Sequence, residues 1–323
     1  MRVLVTGCAG FIGAKVSEVL ARDGHDVVGI DDLNDAYDVR LKAWRLDQVR
    51  ALPRFVAHVA DIAAEDGLRG LEDSRPVDAV VNLAGRAGVR QSILAPDLYY
   101  RTNVEGTLRL LELCRSRGIK KFVLASTSSL YAGGECPFRE NQPTDRPRSP
   151  YAASKKAAEA MCYAYHLLFG IDVAVLRYFT VYGPAGRPDM AVFRFIRWLD
   201  EDRPLIIHGD GSQERDFTYV DDVADATRRA LALTGYEVIN VGSDRPVSLR
   251  RMIAILEGAM GRPARLKHRP VHRADMPATW ADITKARELL QWEPRTALEE
   301  GLHAAVRWYA ENRAWASQIA VGD

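Results

Sequence analysis

The sequence has no apolar run approaching the roughly 18 residues that a membrane span needs, and its longest apolar stretches have the length of a strand. Its 44 basic and 43 acidic residues nearly cancel, so no overall field attracts polyanions such as nucleic acid. The chain opens directly in strand-like sequence, without a charged leader or a small-residue cleavage site. We therefore expect a soluble, cytoplasmic protein with neither a membrane nor a nucleic-acid partner.

Metal-binding spacings are missing as well. Zinc sites use cysteine or histidine pairs a few residues apart, whereas the seven histidines here do not cluster. A basic stretch at residues 262–273 lacks the interleaved aromatic side chains of a single-strand nucleic-acid site. We expect no metal and reduced thiols at the four widely separated cysteines, Cys8, Cys114, Cys136 and Cys162.

The first half of the chain alternates short apolar runs with helical patterns, which predicts an α/β fold with a parallel sheet covered by helices on both faces. The composition, 47% hydrophobic and 27% charged, provides enough apolar material for buried cores, and 323 residues suit two lobes. The predicted strands are residues 2–6, 26–30, 55–59, 77–83, 121–126 and 171–176, and the predicted helices are residues 14–22, 102–117 and 151–169.

After about residue 180 the alternation loosens, which indicates a second, smaller lobe. We expect residues 1–180 to form the first lobe, with 218–245 and about 278–290 packing back on it, and residues 181–323 to form mainly the second. The segments predicted in this part are helices at 194–200, 220–233 and 249–260 and a strand at 238–241.

Three glycines, Gly7, Gly10 and Gly13, join the first strand to the first helix. Glycine lets the backbone turn sharply and approach a diphosphate, whose charge is stabilised at the positive end of a helix. The spacing matches the dinucleotide fingerprint only in part, because Gly7 and Gly10 are three residues apart instead of two. A glycine trio alone is weak evidence; its place in the first βα unit, ahead of a strand that ends in Asp31, makes it a dinucleotide-binding candidate.

Acidic residues follow the second and third predicted strands. Asp31 is placed to accept hydrogen bonds from an adenosine ribose, and its carboxylate repels a 2′-phosphate, which favours NAD over NADP. Asp61 has two open interpretations, a contact to the adenine amino group or an ordinary helix N-cap.

Tyr151 and Lys155 are the main catalytic candidates, because residues four apart share one face of a helix. Lowering a tyrosine pKa of about 10 by ~3 units requires roughly 4 kcal/mol of differential stabilisation. An ammonium ~4 Å away at an effective dielectric of ~20 provides about that much. With twelve tyrosines in the chain the spacing alone is weak evidence, and it gains force from its neighbours.

Those neighbours are four consecutive hydroxyl residues, Ser126, Thr127, Ser128 and Ser129, at the end of a predicted strand. The carboxyl ends of parallel strands face the crevice in which α/β proteins bind ligands. Thr127 is therefore a candidate to share a hydrogen bond with a substrate hydroxyl whose proton Tyr151 takes. A polar turn capped by serines is the alternative.

Basic residues after position 180 are candidates for anion binding. The segment from Arg177 leaves the first lobe along a strand and places Thr180 over the cleft. Arg187 lies on a loop, where it either meets an anionic group or is an ordinary solvated arginine. Arg215 precedes a predicted helix and is the phosphate candidate.

These segments together resemble the NAD-dependent epimerase/dehydratase family, the extended short-chain dehydrogenase/reductases that modify nucleotide sugars, over nearly the whole chain. Within that family the sequence resembles the 4-epimerases of UDP-glucuronate. The narrower resemblance rests on residues 34–38 with Leu41 and Lys42, on residues 87–90, and above all on residues 180–184 and 186–191.

The resemblance implies a Rossmann lobe of about seven parallel strands, bound NAD, a smaller lobe for the UDP-sugar, and a homodimer formed through helices near 100–117 and 151–169. It assigns Tyr151 as the base, Lys155 as the residue that lowers the Tyr151 pKa and holds the nicotinamide ribose, and Thr127 as the partner of the reacting hydroxyl. Ser126 and Asn103 support the cofactor. The further cofactor contacts are Phe11, Ile12, Asp61, Ile62, Leu83, Ala84 and Tyr178; the contacts to the sugar nucleotide are Arg90, Thr127, Ser128, Ser129, Thr180, Arg187, Met190, Arg215 and Asp275.

The residues after Thr127 separate epimerases from their relatives. Dehydratases of the family carry Asp-Glu there, and decarboxylases usually carry Glu at the second place, whereas this chain has Ser128 and Ser129. The implied reaction interconverts UDP-glucuronate and UDP-galacturonate by oxidation at C4, rotation of the 4-keto sugar and re-reduction. We expect the hydroxyls and Arg187 to hold the carboxylate so that CO₂ is not lost.

Two other functions remain open. A 4-epimerase of a neutral sugar, UDP-glucose or UDP-N-acetylglucosamine, would not need Thr180 and Arg187. A non-catalytic NAD-binding sensor would not need Tyr151, Lys155 and Thr127.

Four positions depart from the family pattern. Gly85 stands in place of alanine, Ala132 in place of glycine and Ala185 in place of an aromatic residue. Residues 272–275 differ from the usual Arg-x-Gly-Asp, which leaves the diphosphate ligands open and favours Arg215 and Asp275 over His272.

Overall fold

The computed structural model describes residues 1–71, 75–271 and 275–321. In the first half, helices connect the strands of a parallel sheet. The elements in chain order are β1 (Arg2–Thr6), α1 (Phe11–Arg22), β2 (Asp26–Asp31), α2 (Val39–Arg50), β3 (Phe55–Val59), β4 (Ala79–Asn82), α3 (Val89–Leu94), α4 (Pro96–Tyr100), α5 (Gly106–Arg117), β5 (Lys121–Thr127), α6 (Pro150–Phe169) and β6 (Asp172–Tyr178).

The second half contains shorter strands between helices. Its elements are β7 (Thr180–Tyr182), α7 (Ala191–Asp200), β8 (Leu205–His208), β9 (Glu214–Tyr219), α8 (Val220–Ala230), β10 (Tyr236–Val241), β11 (Pro246–Ser248), α9 (Leu249–Met260), β12 (Leu266–Arg269), α10 (Thr284–Leu290), α11 (Leu298–Glu311) and α12 (Arg313–Ala316).

Seven strands form one sheet in the order β10-β6-β5-β4-β1-β2-β3, and every pairing in it is parallel. The predicted α/β class and the seven-stranded parallel sheet are confirmed. The strand order reverses between β1 and β4, and in folds of this kind the ligand crevice lies at that point, beyond the carboxyl ends of the strands.

The continuous apolar run of β1 follows from burial of both faces of the sheet. Val3 and Val5 pack into the core on one face, and Leu4 packs into the core on the other. All three side chains are fully buried. Because successive side chains of a strand point to opposite faces and both faces are buried here, the three central positions of β1 all carry apolar residues.

Three helices begin earlier than the sequence pattern predicts. Helix α1 begins at Phe11, directly after Gly10, and α7 begins at Ala191. Helix α6 begins at Pro150, whose fixed φ suits the first helical position. In the range predicted as a helix over 102–117, α5 begins only at Gly106, and the first residues belong to a π-helical turn at Arg101–Glu105 that continues from α4.

The small strands of the second half escape the sequence pattern because they have three to six residues and most of them carry no continuous apolar run. They form a three-stranded sheet in the order β11-β9-β7 and a two-stranded sheet of β8 and β12. All four residues of β12 are exposed, so it has no apolar signature. Helices α7, α9 and α11 cover a separate apolar core that includes Trp198, Leu256 and Trp308.

The chain returns twice to the large sheet. Strand β10 pairs with β6 along its whole length, and helix α8 packs on α1. Helix α10 contacts β10, and Ala281 forms a bridge with Phe138. These returns bring the second half over the carboxyl ends of β1, β5 and β6, where the cleft described below lies.

Across the described residues, no helix is both long and apolar enough to cross a membrane. The four cysteines are free: Cys8, Cys114 and Cys162 are buried and Cys136 is exposed.

Candidate active site

A cleft of about 600 Å³ opens at the carboxyl ends of the strands. Its walls come from the glycine-rich turn, the ends of β2, β4 and β5, the start of α6 and the segment after β6. The predicted residues that line it are Gly7, Gly10, Phe11, Ile12, Gly13, Asp31, Asp61, Ile62, Leu83, Ala84, Ser126, Thr127, Ser128, Ser129, Tyr151, Lys155, Tyr178, Thr180, Arg187 and Met190.

The glycines of the first turn allow three backbone segments to meet at the cleft floor. Gly7 has a φ of +71°, and a Cβ on it would lie 2.7 Å from the Ala84 nitrogen. A Cβ on Gly13 would lie 2.0 Å from the Gly7 carbonyl oxygen. The first turn of α1 carries neither an acidic residue nor a side-chain cap, so its positive end faces the cleft without an anion from its own side chains.

Asp31 links the end of β2 to the glycine-rich turn. Its carboxylate accepts hydrogen bonds from the backbone nitrogens of Ala9, at 3.1 Å, and Leu33, at 2.9 Å. Burial raises the pKa of this carboxyl, and the Lys42 ammonium, 3.8 Å away, acts against that shift. The carboxylate is therefore held rigidly at the cleft wall.

Asp61 lies at the same wall and is engaged in two interactions. One carboxylate oxygen accepts from the Ala63 nitrogen at 2.9 Å, and the other lies 2.6 Å from the Arg101 guanidinium. The residues that follow form turns, so the helix N-cap interpretation is wrong: Asp61 caps a turn. The adenine contact stays a prediction.

Asn103 does not line the cleft; it lies behind the wall, in the π-helical turn. Its side chain exchanges two hydrogen bonds with the backbone of Arg86, at 2.8 and 3.0 Å, and donates to the Ser154 hydroxyl at 2.9 Å. A Cβ on Gly85 would lie 2.9 Å from both Asn103 Oδ1 and Lys155 Nζ. A side chain at position 85 would therefore have to displace the ends of these two side chains. Through its hydrogen bonds to Arg86, Asn103 supports the 85–86 segment.

The hydroxyl residues after β5 form a short turn at the cleft. The Thr127 hydroxyl accepts from the Ser129 nitrogen at 3.1 Å and donates to the Ser129 hydroxyl at 3.2 Å. A single turn of 3₁₀ helix follows at Ser128–Tyr131. The capping interpretation and the catalytic interpretation of Thr127 are therefore compatible.

Tyr151 lies in the first turn of α6, behind the Ser149 cap, whose hydroxyl accepts from the Ala152 nitrogen at 3.1 Å. The tyrosine side chain is 9% exposed. Burial raises the pKa of the phenol, and the Thr127 hydroxyl and the Arg187 guanidinium lower it. The two groups that favour the phenolate thus come from β5 and from the loop after β7.

Lys155 shares the helix face of Tyr151, but its ammonium donates to the Ala125 carbonyl at 3.0 Å. Burial lowers the pKa of Lys155 to about 8, with Cys162 and Glu159 acting against it. In this arrangement the lysine donates to the strand, and Arg187 is the cation that lowers the phenol pKa. The role of Lys155 at the Tyr151 phenol stays a prediction. Spacing on a helix predicts a shared face but not the direction of a long side chain.

A buried ion pair that sequence reasoning missed holds α6 to the sheet. The Arg177 guanidinium makes two hydrogen bonds to the Glu159 carboxylate, at 2.9 and 2.8 Å, and a third to the Tyr131 hydroxyl at 2.7 Å. The Ser126 hydroxyl donates to the same carboxylate at 2.6 Å. Ser126 therefore directs its hydroxyl to this network. No spacing in the sequence links Glu159 to Arg177, because the two lie on different elements.

Tyr178 lies at the end of β6. Its hydroxyl forms a 2.8 Å hydrogen bond with the Thr227 hydroxyl, which ties the first sheet to α8. Tyr178 also lines the cleft.

Arg187 is not a solvated surface residue, since its side chain is only 23% exposed. Its guanidinium pairs with Asp189, at 2.5 Å, and donates to the Ala87 carbonyl at 3.1 Å. Met190, which lines the cleft beside it, and Thr180 belong to the same wall. The arginine therefore joins the 85–88 segment to the loop after β7.

A second cavity of about 250 Å³ adjoins the cleft and shares Thr180, Arg187 and Met190 with it. There Arg90 pairs with Asp275 at 2.6 Å and contacts the His208 ring at 2.8 Å.

Arg215 lines this second cavity too. Burial lowers its pKa, which Asp275 opposes. His208 was missed, because a lone histidine at a strand end has no distinctive spacing. His272 and Arg273 lie outside the described residues.

Among the described residues, no three histidine, cysteine or carboxylate side chains are grouped to hold a metal ion.

The fold and the cleft are those of a nucleotide-dependent α/β enzyme, and the chain belongs to the NAD dependent epimerase/dehydratase family, whose profile matches residues 3–242. Among individual proteins, it is 51% identical over 310 residues to the UDP-glucuronate 4-epimerase of Thermodesulfobacterium geofontis, with 96% of each chain covered.

Solved structures of this family superpose closely on the chain. The UDP-glucuronic acid 4-epimerase from Bacillus cereus, in complex with UDP-glucuronic acid and NAD, matches with a TM-score of 0.90 and 38% identity, over 97% of this chain and 100% of that one. The UDP-glucose 4-epimerase of Thermotoga maritima, with UDP-glucose, matches with a TM-score of 0.87 and 31% identity, over 97% and 100%.

The buried Lys155 predicts a dependence of stability on pH. Its pKa is about 8 in the folded chain and about 10.4 in an unfolded one, so between these values the unfolded state binds more protons. The free energy of unfolding therefore rises with pH through that window as the penalty for the buried charge is lost. In cofactor-free protein, we expect Lys155→Met to raise the free energy of unfolding by about 2 kcal/mol at neutral pH, and the gain to vanish near the unfolded pKa.

Urea unfolding of both proteins across that range measures the difference, with Lys267→Met, at an exposed lysine of β12, as the control for loss of a surface charge. An advantage of Lys155→Met that stays constant with pH would contradict the burial of a charged Lys155.

Proposed function

We propose that the chain is an NAD-dependent 4-epimerase that interconverts UDP-glucuronate and UDP-galacturonate. The observation that carries the proposal is the convergence of a phenol, a hydroxyl and a guanidinium, from Tyr151, Thr127 and Arg187, in one cleft that begins at a glycine-rich turn. A phenol serves as an acid–base group, and the guanidinium beside it suits a substrate carboxylate.

The floor of the cleft fits NAD. Other backbone segments approach Gly7 and Gly13 too closely for a side chain at either position. Backbone groups therefore line this part of the site, at the start of α1, where a diphosphate is stabilised. The Asp31 carboxylate at the end of β2 is suited to the adenosine ribose hydroxyls and repels a 2′-phosphate. We propose that Asp61, Ile62, Leu83 and Ala84 form the adenosine side of the site.

Bound NAD supplies the hydride acceptor, which takes hydrogen from C4 and returns it to the opposite face of the ring. We propose that the Tyr151 phenolate accepts the proton of the 4-hydroxyl as the C4 hydride leaves, so that a 4-keto sugar forms. Tyr151 returns the proton when the ketone is reduced. Thr127 orients the hydroxyl, and Lys155 holds the cofactor ribose from the neighbouring turn of α6.

The 4-keto form of a uronic acid is a β-keto acid, which loses CO₂ when the carboxylate bond lines up with the carbonyl π system. We propose that Arg187 and the hydroxyls of Thr127, Ser128, Ser129 and Thr180 hold the carboxylate away from that alignment. The fixed position of Arg187, between Asp189 and the Ala87 carbonyl, supports this role.

The second cavity is the proposed site of the UDP group. Arg90 and Arg215 provide two guanidinium groups for a diphosphate. Asp275 pairs with Arg90 and also opposes the lowering of the Arg215 pKa. Met190 lies at the junction with the cleft. The division into a cofactor lobe of residues 1–180, with 218–245 and 278–290, and a sugar-nucleotide lobe formed mainly by 181–323 belongs to the same proposal.

A homodimer is part of the proposal. Helix α6 exposes large apolar side chains on its outer face, with Leu167 and Leu168 70% and 68% exposed and Tyr163 53% exposed. Helix α5 contributes Leu108, which is 39% exposed. An apolar surface of this kind on neighbouring helices favours association with a second copy. We also propose a cytoplasmic location, with which four free cysteines are compatible.

Incubation with UDP-glucuronate, followed by NMR of the sugar ring and by CO₂ measurement, tests the proposed reaction. We expect an equilibrium mixture with UDP-galacturonate, no CO₂ and no net formation of NADH. Tyr151→Phe is expected to lower kcat by about 10³-fold, because the acid–base group is lost, whereas Tyr163→Phe, on the exposed face of the same helix, serves as the control. Turnover of UDP-glucose alone would favour the neutral-sugar epimerase, and NAD binding without turnover of either sugar would favour a sensor.

Light scattering on a size-exclusion column tests the homodimer. We expect the wild type to elute with the mass of two chains and Leu167→Glu/Leu168→Glu with the mass of one, because charged side chains oppose burial of that surface. Leu289→Glu, which alters an exposed leucine of α10, is expected to keep the mass of two chains. A dimer that persists in the double variant would contradict the proposed interface.

A further inference from the structure

Arg45, on helix α2, is buried near the proposed site, and its hydrogen bonds go to neutral oxygen atoms. Its side chain is 3% exposed. The guanidinium donates to the Ala185 carbonyl at 2.9 and 2.7 Å and to the Gly186 carbonyl at 3.1 Å. It also donates to the Tyr37 hydroxyl at 2.7 Å and, at 3.4 Å, to the Ala9 carbonyl.

These bonds join three separate segments through one rigid, planar group. Ala9 belongs to the glycine-rich turn, Tyr37 precedes α2, and Ala185 and Gly186 lead directly to Arg187. Among the described residues, no carboxylate is hydrogen-bonded to this guanidinium, which makes its burial costly. Burial lowers the pKa of Arg45, and Tyr37 and Asp31 act against that shift. The chain nevertheless has an arginine here, whose fork of donors suits several carbonyls at fixed angles.

The loop that Arg45 holds is strained. Ala185 has a φ of +51°, a region that residues other than glycine seldom occupy. Its carbonyl accepts two of the Arg45 hydrogen bonds, so the guanidinium fixes the strained conformation one residue before Gly186. Arg187 follows immediately, and its direction depends on that conformation.

A second route connects the two arginines. The Tyr37 ring carries the Arg45 guanidinium 5.4 Å from its centroid and the Arg187 guanidinium 6.0 Å from it. The two cations therefore share one aromatic ring, in addition to the backbone between Ala185 and Arg187.

We propose that Arg45 is a positioning residue that couples the dinucleotide-binding turn to Arg187, so that NAD binding at the glycines and carboxylate binding at Arg187 strengthen each other. This inference rests on the proposed function of the site. A change at Ala9 moves the guanidinium, and the guanidinium moves the Ala185–Gly186 carbonyls with it. Because coupling is reciprocal, each ligand tightens the other by the same factor.

The test measures that factor directly by calorimetry, in the Tyr151→Phe background, which prevents turnover, after removal of any retained nucleotide. The Kd of NAD⁺ is determined without and with saturating UDP-glucuronate. We expect UDP-glucuronate to tighten NAD⁺ binding by about 5-fold or more, within the usual range of such couplings. With Arg45→Lys added, we expect the tightening to fall below about 2-fold, because an ammonium cannot span the same carbonyls.

Arg50→Lys, at an exposed arginine of the same helix, is the matched control and is expected to keep the full factor. UDP-glucose, which lacks the carboxylate, serves as the second control and is expected to give the same factor with and without Arg45→Lys. A factor that is unchanged by Arg45→Lys, or that is absent in the Tyr151→Phe protein itself, would overturn the inference.

If Arg45→Lys fails to fold, Tyr37→Leu removes both the hydroxyl that Arg45 binds and the ring that Arg45 shares with Arg187. We expect it to lower the factor at least 2-fold, and no change would overturn the inference equally. Failure of the proposed function is recognised separately, because it would appear as the absence of UDP-galacturonate in the wild-type reaction.

Discussion

Burial of the Tyr151 phenol is the constraint on which the proposed chemistry depends. In the cleft, loss of water raises the phenol pKa, which opposes the ionisation that a base requires. Two groups act in the opposite direction, a hydroxyl from the end of β5 and a guanidinium from the loop after β7. The site is thus assembled from both halves of the chain, and the returns of β10 and α8 to the large sheet keep these halves together.

The position of Arg187 links the base strength of Tyr151 to the binding of the substrate carboxylate. The same guanidinium that favours the Tyr151 phenolate is the proposed partner of the substrate carboxylate. A bound carboxylate would weaken the influence of Arg187 on the phenol, so base strength and substrate binding are linked in this site.

Lys155 is directed to the Ala125 carbonyl, and Gly85 leaves room for its ammonium. This direction of the Lys155 side chain suits a contact with the cofactor better than a contact with the Tyr151 phenol.

Much of the fold was predictable, because a parallel sheet buried on both faces leaves continuous apolar runs such as Val3–Val5, and because Gly118 and Gly170 end the helices before them in the left-handed conformation. The small strands of the second half were not, since strands of three to six residues, most of them without a continuous apolar run, give too little periodic signal. In the candidate site, Thr127 and Tyr151 were predictable from their motifs and their places in the fold.

The contacts between distant segments were not predictable. The pairing of Glu159 with Arg177, the direction of Lys155 and the burial of Arg45 depend on packing between elements far apart in sequence, and none has a characteristic spacing. Gly85 was visible as a departure from the family pattern. Only the structure shows that the ends of the Lys155 and Asn103 side chains approach this position.

The most direct measurement of the central claim is a pH titration of phenolate absorbance in the NAD-bound protein, taken as the difference between wild type and Tyr151→Phe. The same titration is repeated with Arg187→Gln and with Lys155→Met. If Arg187 favours the phenolate, its neutralisation disfavours the charged form, and the Tyr151 midpoint moves to higher pH in Arg187→Gln. A midpoint that is unchanged in Arg187→Gln and raised in Lys155→Met would contradict this account.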